Sequence, residues 1–457
     1  MRAAWAIAAA VALGAALAAP GSTGAPKAAV CADCVRATMQ TLAGDALHGR
    51  KCGSADENAA ARYLADTLAR QKIEGALPGG AFLQPVTLTT PTYAAPPAIA
   101  FTAPDGRVLK LTHGQEAVVA DTPPELDGEV VRIADPAAPF DAIKGKVVVL
   151  EGLAGARAVQ AARAGAAAVV VSASDYLLQR WAETAQRPPG PVQVADIPPR
   201  APQVPIVFVR PEAFAQLAGF EGGRMRISAP RGEPLVRTTY NVLGVRHGTA
   251  PDADRQAILL TAHYDHLGVR NGVTFHGADD DASGTAAVVE FARILGRAKP
   301  HRRTVYFGLF GCEEEGALGA KYYLAHPPIE VSDLVANLEF EMIGVDDPQR
   351  PGFLMLTGWD RTDLGPTLQA HGAQIGPDLY PAQNFFQRSD NFQLALKGVV
   401  AQTISAWPVT PTYHAATDDL AHVDLELMDR TIGSLVDPVN WLLDSDYRPA
   451  WYPGKRP

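Results

Sequence analysis

The stretch ILLTAHYDHLGVRNGVTFHGADDDASG, residues 258–284, carries the signals that decide the fold. It opens with the apolar run 258–261, which has the length and composition of a strand buried on both faces of a sheet. His263 and Asp265 follow this strand closely, and three consecutive aspartates, 279–281, follow after a loop. An apolar strand that leads into imidazole and carboxylate groups predicts a functional site at the end of that strand.

The same arrangement recurs through the C-terminal half of the chain. Further strands are predicted at 304–307, 334–340 and 399–404, and apolar residues between 288 and 295 indicate a helix face. Strands that alternate with helices predict an α/β fold with a mixed, mainly parallel central sheet and helices on both faces. In such sheets ligands bind beyond the carboxyl ends of the strands.

Acidic and imidazole side chains follow the other predicted strands as well. Glu313, Glu314 and Glu315 come after the second strand, Glu341 comes after the third, and His414 follows the last. These groups would converge with the aspartates at one sheet edge, where burying so many carboxylates without a cation is costly. Carboxylate and imidazole ligands suit zinc. Two metals roughly 3.5–4 Å apart, sharing a bridging carboxylate, would use the whole set.

The order of these motifs resembles the zinc exopeptidase family of secreted bacterial di-zinc aminopeptidases, which includes aminopeptidase Y and glutamate carboxypeptidase-like enzymes. The motifs are His-x-Asp at 263–265, Gly-Ala-Asp-Asp-Asp-Ala-Ser-Gly at 277–284, Glu-Glu-x-Gly at 313–316, Glu341 before Met-Ile-Gly, and Tyr-His at 413–414. The resemblance covers residues from about 236 to 445. The segment His48-Gly49-Arg50 also resembles the N-terminal part of the family.

The resemblance implies a role for seven residues. The implied ligands of two zinc ions are His263, Asp280, Glu314, Glu341 and His414. Asp280 is expected to bridge both ions, with Glu314 and His414 completing one site and His263 and Glu341 the other. Asp265 is expected to orient the ring of His263. Glu313 is expected to be the general base that takes a proton from the attacking water and passes it to the leaving amine.

Other polar residues near these motifs are expected to have structural roles. The family resemblance favours Glu341 over Glu339 and His414 over His422 as ligands. His266 and His276 are expected to be loop histidines, Asp279 and Asp281 to shape their turn, and Glu315 to lie outside the ligand shell. Two positions depart from the family pattern: Glu341 stands where aspartate is frequent, and Asn391 stands where histidine is frequent after Ser389-Asp390.

The residues between the two halves of the predicted peptidase domain differ in character. Short β-rich runs separated by proline and glycine occupy 118–235, which resembles an inserted protease-associated domain. The zinc peptidase domain is therefore predicted to be discontinuous, at 27–117 and 236–445. Within its first part, Ser54 and Glu57 form a capping-box pattern that predicts a helix beginning near residue 54.

The N-terminus predicts export. An apolar run from Ala3 to Leu17 follows Met1-Arg2 and ends at the small-x-small site Ala16-Leu17-Ala18, so 1–19 is expected to be a signal peptide. An N-terminal membrane anchor is the alternative. The protein is then periplasmic or secreted, without stable membrane insertion after the signal is removed, since no later stretch has the length and apolar character of a membrane span. A net charge of −9 disfavours nucleic acid as a partner.

The chain has four cysteines, at 31, 34, 52 and 312. Export permits disulfides, and one bridge is expected from Cys52 to either Cys31 or Cys34. Cys312 is expected to be a buried thiol.

These patterns favour an aminopeptidase that acts on peptide substrates. A carboxypeptidase of the same fold is an alternative that needs basic groups for the substrate's C-terminal carboxylate, and Arg388 is a candidate without an arginine cluster around it. Glutaminyl cyclisation and a non-catalytic receptor-like relative are further alternatives. The aromatic residues Tyr380, Phe385, Phe386 and Trp407 line a pocket or belong to the core.

Overall fold

The computed structural model describes residues 29–135, 137–152, 155–198 and 204–457. The predicted signal peptide lies outside the described residues. The α-helices, in chain order, are α1 (Ala32–Leu42), α2 (Ala55–Arg70), α3 (Gly155–Arg163), α4 (Asp175–Gln179), α5 (Trp181–Ala185), α6 (Pro211–Gln216), α7 (Gly284–Arg297), α8 (Leu318–Ala325), α9 (Leu364–Ala370), α10 (Asn391–Leu396) and α11 (Leu425–Asp444). No helix of the described part combines the length and the apolar character that crossing a bilayer requires.

The strands divide between two large sheets and a short hairpin. In chain order they are β1 (Glu74–Gly75), β2 (Leu83–Thr90), β3 (Ala98–Thr102), β4 (Val108–Thr112), β5 (Ala117–Ala120), β6 (Glu125–Ile133), β7 (Val147–Leu150), β8 (Ala168–Ser172), β9 (Gln193–Val194), β10 (Ile206–Val209), β11 (Arg224–Ser228), β12 (Leu235–Arg246), β13 (Ala257–His263), β14 (Gly268–Arg270), β15 (Val273–Phe275), β16 (Val305–Phe310), β17 (Leu334–Phe340), β18 (Leu354–Leu356), β19 (Ile375–Pro377) and β20 (Val400–Ser405).

The first sheet confirms the predicted fold class. Its strand order is β19-β18-β20-β17-β13-β16-β12-β2-β9, with β1 beside β12. The central strands β16, β13, β17 and β20 are mutually parallel, whereas the strands toward one edge are antiparallel. The core on one face includes residues of α1, α2, α7 and α11, and that on the other includes residues of α8 and α10. The carboxyl ends of β13, β16, β17 and β20 therefore lie along one sheet edge.

The second sheet has the order β4-β3-β11-β6-β7-β8-β10-β5 and a hydrophobic core of its own. It includes β3 and β4, so it begins at Ala98, earlier than the predicted start of the insertion at residue 118. These two strands pair with each other, and β3 also pairs with β11, which follows most of the insertion in sequence. That long-range pairing has no local sequence signal. Between β8 and β10 the chain also forms β9, which pairs with β2 at the edge of the first sheet.

The helix α2 begins as its capping pattern predicts. The Ser54 hydroxyl accepts a hydrogen bond from the Glu57 amide at 3.1 Å. The Glu57 carboxylate reaches back to the amide of Gly53, at 2.6 Å, and also accepts from the Thr239 hydroxyl of β12. The cap thus fixes α2 against the sheet as well as satisfying its free amides.

The disulfide prediction is wrong. Cys31 is bonded to Cys34, and Cys52 is bonded to Cys312, which is therefore not a thiol. Cys31 precedes the first turn of α1 and Cys34 lies within that turn, where three-residue spacing brings them together. Cys52 and Cys312 are 260 residues apart in sequence. Only the assembled sheet brings them together.

We expect the two disulfides to contribute unequally to stability. Replacing Cys52 and Cys312 together by serine should lower the free energy of unfolding by about 2–5 kcal/mol, because the bridge closes a long loop in the unfolded chain. The paired serine replacement of Cys31 and Cys34 is the matched control, with an expected cost of about 1–2 kcal/mol for its short loop. Urea unfolding of both variants measures the difference. An equal or larger cost for the Cys31–Cys34 pair would contradict the expectation.

Candidate metal centre

The parallel strands bring the predicted site residues together at one edge of the sheet. His263 is the last residue of β13, Glu341 follows β17 directly, and Glu313 and Glu314 follow β16 after a two-residue turn. Asp280 lies in the turn before α7, and His414 lies in the long loop after β20. The five side chains that the sequence predicts as metal ligands lie together. Three of them end or follow a central strand, one precedes α7 and one lies in a distant loop.

The Asp280 carboxylate lies between two separate groups of ligand atoms. Its Oδ1 is 3.3 Å from Nε2 of His263, and that nitrogen is 4.0 Å from Oε1 of Glu341. Its Oδ2 is 3.2 Å from Nε2 of His414, which is 3.0 Å from Oε2 of Glu314. Each of the two carboxylate oxygens therefore contacts a different histidine, and each histidine is beside a different glutamate.

The backbone of this region is shaped for close approach. Gly277 has a φ of 60°, and a β-carbon there would meet the carbonyl oxygen of Asp280 at 2.3 Å and the ring of His266 at 2.4 Å. Only glycine accepts both the left-handed conformation and the lack of space. The turn that presents Asp280 thus depends on Gly277.

The flanking aspartates bind backbone amides, in keeping with the turn-shaping role expected of them. Asp281 accepts from the amides of Gly284 and Met342, and Asp279 accepts from the amide of Gly344. These bonds join the turn before α7 to the segment after β17. The turn that carries Asp280 is therefore held against the segment that carries Glu341.

Asp265 connects two parts of the centre. Its Oδ1 is 3.6 Å from Nδ1 of His263, on the side of the ring away from Asp280. The same carboxylate accepts hydrogen bonds from the backbone amides of Glu313 and Glu314, at 2.9 and 3.3 Å. Asp265 is fully buried, so these bonds are shielded from water. It is placed to orient both the imidazole and the loop that carries the two glutamates.

His266, expected from sequence to be a loop histidine, lies next to the proposed ligands. It is buried, and its Nδ1 lies 2.8 Å from Oε1 of Glu314 and 3.8 Å from Oδ2 of Asp280. With Asp280 and Glu314 it forms one of two triplets of possible ligand atoms within 4.8 Å of one another. The other triplet is His263, Asp280 and Glu341. The sequence signal for His266 was its position three residues after His263, where the chain has just left the buried strand.

The remaining candidates lie where they have other partners. Glu339, inside β17, accepts from Ser389 and Thr403, whereas Glu341 lines the cleft. His276 and His422 contact exposed or partly exposed aspartates away from the ligand groups. Glu315 is exposed.

Asn391 has a structural role in place of the histidine frequent in the family. Its side-chain amide donates to the backbone carbonyls of Phe386 and Ala401, at 3.2 and 3.4 Å. It is fully buried. These bonds tie the start of α10 to β20, below the centre.

Burial and neighbouring charges shift the pKa values of residues in the centre. Burial acts to raise the pKa of Asp280, yet hydrogen bonding to His263 and His414 holds it well below its usual value. Burial acts to lower the pKa of His414, but the carboxylates of Asp280 and Glu314 raise it to about 9. Burial raises the pKa of Glu313 well above its ordinary value, with repulsion from Asp390 in the same direction and attraction to His263 opposing.

A buried arginine lies beneath the ligand loops. Arg50 is fully buried and donates to the carbonyls of Tyr264, His276, Gly277 and Leu42. Burial lowers its pKa to about 10 while four buried or nearly buried aspartates act to raise it, so it stays charged at neutral pH. The guanidinium therefore joins the segment of His263 and Asp265 to the turn that carries Asp280.

We expect Arg50→Met to lower the free energy of unfolding by about 3–5 kcal/mol, because several buried carbonyls lose their donor and the acidic cluster loses its cation. Chemical unfolding of the metal-free protein measures this. Arg36→Met, on the exposed side of α1, is the control and should change the free energy by less than about 0.5 kcal/mol. Equal unfolding midpoints for the two variants would contradict the role given to Arg50.

An open cleft of about 460 Å³ gives access to the centre. Asp280, Glu313, Glu314, Glu341 and His414 line it. Apolar groups complete its wall, and they are Met342, Met355, Phe385 and Pro408. Of the four aromatic residues proposed from sequence, Phe385 alone belongs to this wall, while Phe386 packs in the core below the sheet.

Comparison with known proteins finds similarity to a peptidase family in the second half of the chain. Residues 241–436 match the sequence model of peptidase family M28. Aminopeptidase YwaD of Bacillus subtilis is 29% identical over 146 residues, which are 31% of this chain and 29% of that protein. The first relatives are thus matched over less than a third of their own length. The match to peptidase family M28 over residues 241–436 agrees with the predicted resemblance to zinc exopeptidases.

Solved structures share the fold across almost the whole chain. An aminopeptidase from Aneurinibacillus sp. strain AM-1 aligns with a TM-score of 0.60 at 19% identity, covering 92% of this chain and 95% of that one. A zinc aminopeptidase of Bacillus subtilis aligns with a TM-score of 0.56 at 17% identity, covering 91% and 96%. The chain therefore has the fold of these solved structures, and residues 241–436 match a peptidase family.

Proposed function

We propose that this protein is an exported di-zinc exopeptidase that removes N-terminal residues from peptides. The observation that carries the proposal is the position of Asp280, whose two carboxylate oxygens contact two different histidine–glutamate groups. A carboxylate between two such groups is the arrangement that a pair of neighbouring divalent ions requires. We assign His263 and Glu341 to one ion and Glu314 and His414 to the other.

The donor set fits zinc. The ligand atoms are buried: Nε2 of His263 lies 3.3 Å from Asp280 and 4.0 Å from Glu341, and no hydrogen bond of ordinary geometry joins it to either carboxylate. Leaving such atoms unpaired is costly, and a metal ion would satisfy them. Mixed imidazole and carboxylate ligands favour zinc over calcium or magnesium. His266 also lies beside Glu314. We propose that His266 holds this carboxylate in place and that His414 is the ligand, since His266 is buried behind the cleft whereas His414 lines it.

The residues of the cleft have different roles in the proposed hydrolysis. Two bound zinc ions would supply the Lewis acidity that polarises the scissile carbonyl and makes water a better nucleophile. Glu313 lines the cleft beside the ligands, and we propose that its carboxylate takes the proton from the attacking water and gives it to the leaving amine. The Asp265 carboxylate accepts from the Glu313 amide and lies beside the ring of His263. The same residue therefore positions both the proposed base and a proposed ligand.

The choice of an aminopeptidase rests on the charge of the cleft. A free α-ammonium group needs an acceptor next to the scissile bond, and carboxylates surround that position. A carboxypeptidase would instead need a cluster of cations there. Among the described residues that line the cleft, Arg388 is the single arginine or lysine, and it is exposed while the acidic ligands are largely buried.

The remaining parts of the chain have supporting roles in this proposal. We assign the second sheet, from Ala98 to Ser228, to an inserted protease-associated domain without catalytic residues. Residues 1–19 are proposed to direct export to the periplasm or the exterior.

The proposal is tested by pairing metal content with substrate choice. We expect about two zinc ions per chain by elemental analysis, and hydrolysis of Leu- and Ala-aminoacyl reporters. An N-blocked peptide with a free C-terminus serves as the opposing substrate. Cleavage of that peptide alone would reject the aminopeptidase and favour the carboxypeptidase.

Removal of the metal gives a further prediction. Dialysis against a chelator should abolish hydrolysis of the Leu reporter, and added zinc should restore it, because the nucleophile and the polarised carbonyl both depend on the ions. The rate before, after and on readdition is the measurement. Full activity in protein shown to be free of metal would contradict the mechanism.

A further inference from the structure

We propose that Arg388 binds a carboxylate of the substrate, and that the enzyme therefore prefers peptides with a negative charge close to the scissile bond. This inference rests on the proposed aminopeptidase function and names the substrate class for the same site. The carboxylate has two possible sources: the side chain of an N-terminal Asp or Glu, or the C-terminus of a dipeptide. The shared chemistry is a carboxylate that meets a guanidinium at the outer part of the cleft.

The guanidinium of Arg388 is held in a defined position. Its Cζ lies 4.9 Å from the centre of the Phe385 ring and 5.6 Å from that of Tyr413. One of its nitrogens donates to the Tyr413 hydroxyl at 3.1 Å. The Tyr413 ring in turn stacks on the proposed ligand His414, with ring centres 4.0 Å apart. Arg388 is thus fixed by two rings, one of which contacts the metal centre.

Arg388 has no carboxylate within ion-pair distance among the described residues, although four carboxylates line the same cleft. Those four face the positions proposed for two divalent ions, whose positive charge balances theirs. The charge of Arg388 is then left for another group. Arginine binds carboxylates through two parallel hydrogen bonds, and a guanidinium stacked on aromatic rings loses little freedom when it does so.

The cleft has room for such a substrate next to the centre. It is open to solvent and extends from the acidic ligands to Arg388. The apolar wall of Met342, Met355 and Phe385 would contact aliphatic carbons between the scissile bond and the carboxylate. A substrate of one or two residues would therefore place its amine near the acidic ligands and its carboxylate near Arg388.

The test uses two pairs of substrates that differ only in one carboxylate. Glu- and Gln-p-nitroanilide report on the side chain, and Leu-Gly and Leu-Gly-amide report on the C-terminus. For the zinc-loaded full chain, each pair gives a ratio of kcat/KM, acid over amide. In Arg388→Met at least one ratio should fall by roughly 10-fold to 100-fold, which is the range for a charged hydrogen bond. The pair that changes identifies the source of the carboxylate.

Two further variants separate recognition from general damage. Arg388→Lys keeps the charge and loses the forked geometry, so it should restore part of the ratio. Arg361→Met is the matched control, because Arg361 also stacks on a phenylalanine, Phe386, at 4.6 Å, but does not line the cleft. Its ratios should equal those of the wild type.

The outcomes distinguish this inference from the function on which it rests. Unchanged ratios for both pairs in Arg388→Met, with hydrolysis retained, would overturn the role of Arg388 alone. Failure of the zinc-loaded wild type to cleave any of the four substrates would overturn the aminopeptidase proposal itself.

Discussion

Replacing Glu313 by Gln is expected to lower kcat by roughly 10²-fold to 10⁴-fold while the chain keeps its metal, because general base catalysis contributes that much to a rate. Glutamine has nearly the shape of glutamate but does not take a proton from water. Glu313 is not among the two triplets of possible ligand atoms, so its neutralisation leaves the proposed zinc ligands intact. The backbone amide of residue 313 would still donate to Asp265.

Two measurements on Glu313→Gln test whether Glu313 is the general base. Zinc per chain should match the wild type, and kcat for a Leu-aminoacyl reporter should fall. Glu315→Gln is the matched control, two residues along the same loop and exposed, and its kcat should stay within about two-fold of the wild type. A near-normal rate for Glu313→Gln would reject Glu313 as the base. Loss of zinc from it would mean that Glu313 is a ligand.

The second large effect is expected at Asp280. Asp280→Ala should remove both zinc ions at concentrations that saturate the wild type, and hydrolysis should disappear with them. One carboxylate contacts both histidines proposed as ligands, so its loss takes an oxygen from each site at once. Two ions bound at these positions would also repel each other more strongly, because the negative charge between them is gone.

Elemental analysis after gel filtration measures the metal, with circular dichroism to establish that the variant is folded. Asp419→Asn is the control, because that carboxylate contacts His422 and the amide of Ala421 outside the ligand groups. It should retain the zinc content of the wild type. An unchanged metal content in Asp280→Ala would refute the bridge.

Some structural roles followed from local sequence, and others depended on long-range contacts. The strand at 258–261 was visible as an apolar run and that at 334–340 as a mainly apolar one, because strands buried on both faces are mostly apolar. Their parallel pairing brings His263 and Glu341 to one edge, which is why motif order alone anticipated the cluster. The burial of Arg50 had no such signal, since its partners are carbonyls of Leu42 and of residues more than two hundred positions away.

Dependence on long-range contacts also explains why the cysteine pairing and the position of His266 were not predicted from the sequence. Pairing Cys52 with Cys312 needs the fold, because chain separation gives no information about which residues meet across a sheet. His266 lies in a segment that leaves β13. Whether it turns toward Glu314 or toward solvent depends on the neighbouring segment of Gly49 and Arg50, whose carbonyls accept the amides of Gly268 and His266. No local pattern encodes that neighbour.

The sequence by itself predicted the α/β class, the resemblance to zinc exopeptidases and most of the groups that meet at one sheet edge, because buried strands and the residues that follow them are recognisable from local order. The tertiary structure alone decided which atoms face each other. It placed the two oxygens of Asp280 toward different histidines, linked Cys52 to the loop of Glu313, and left Arg388 stacked at the cleft without a carboxylate partner among the described residues. Those facts depend on distances between residues far apart in the chain, which only the packing of the two sheets and their helices fixes.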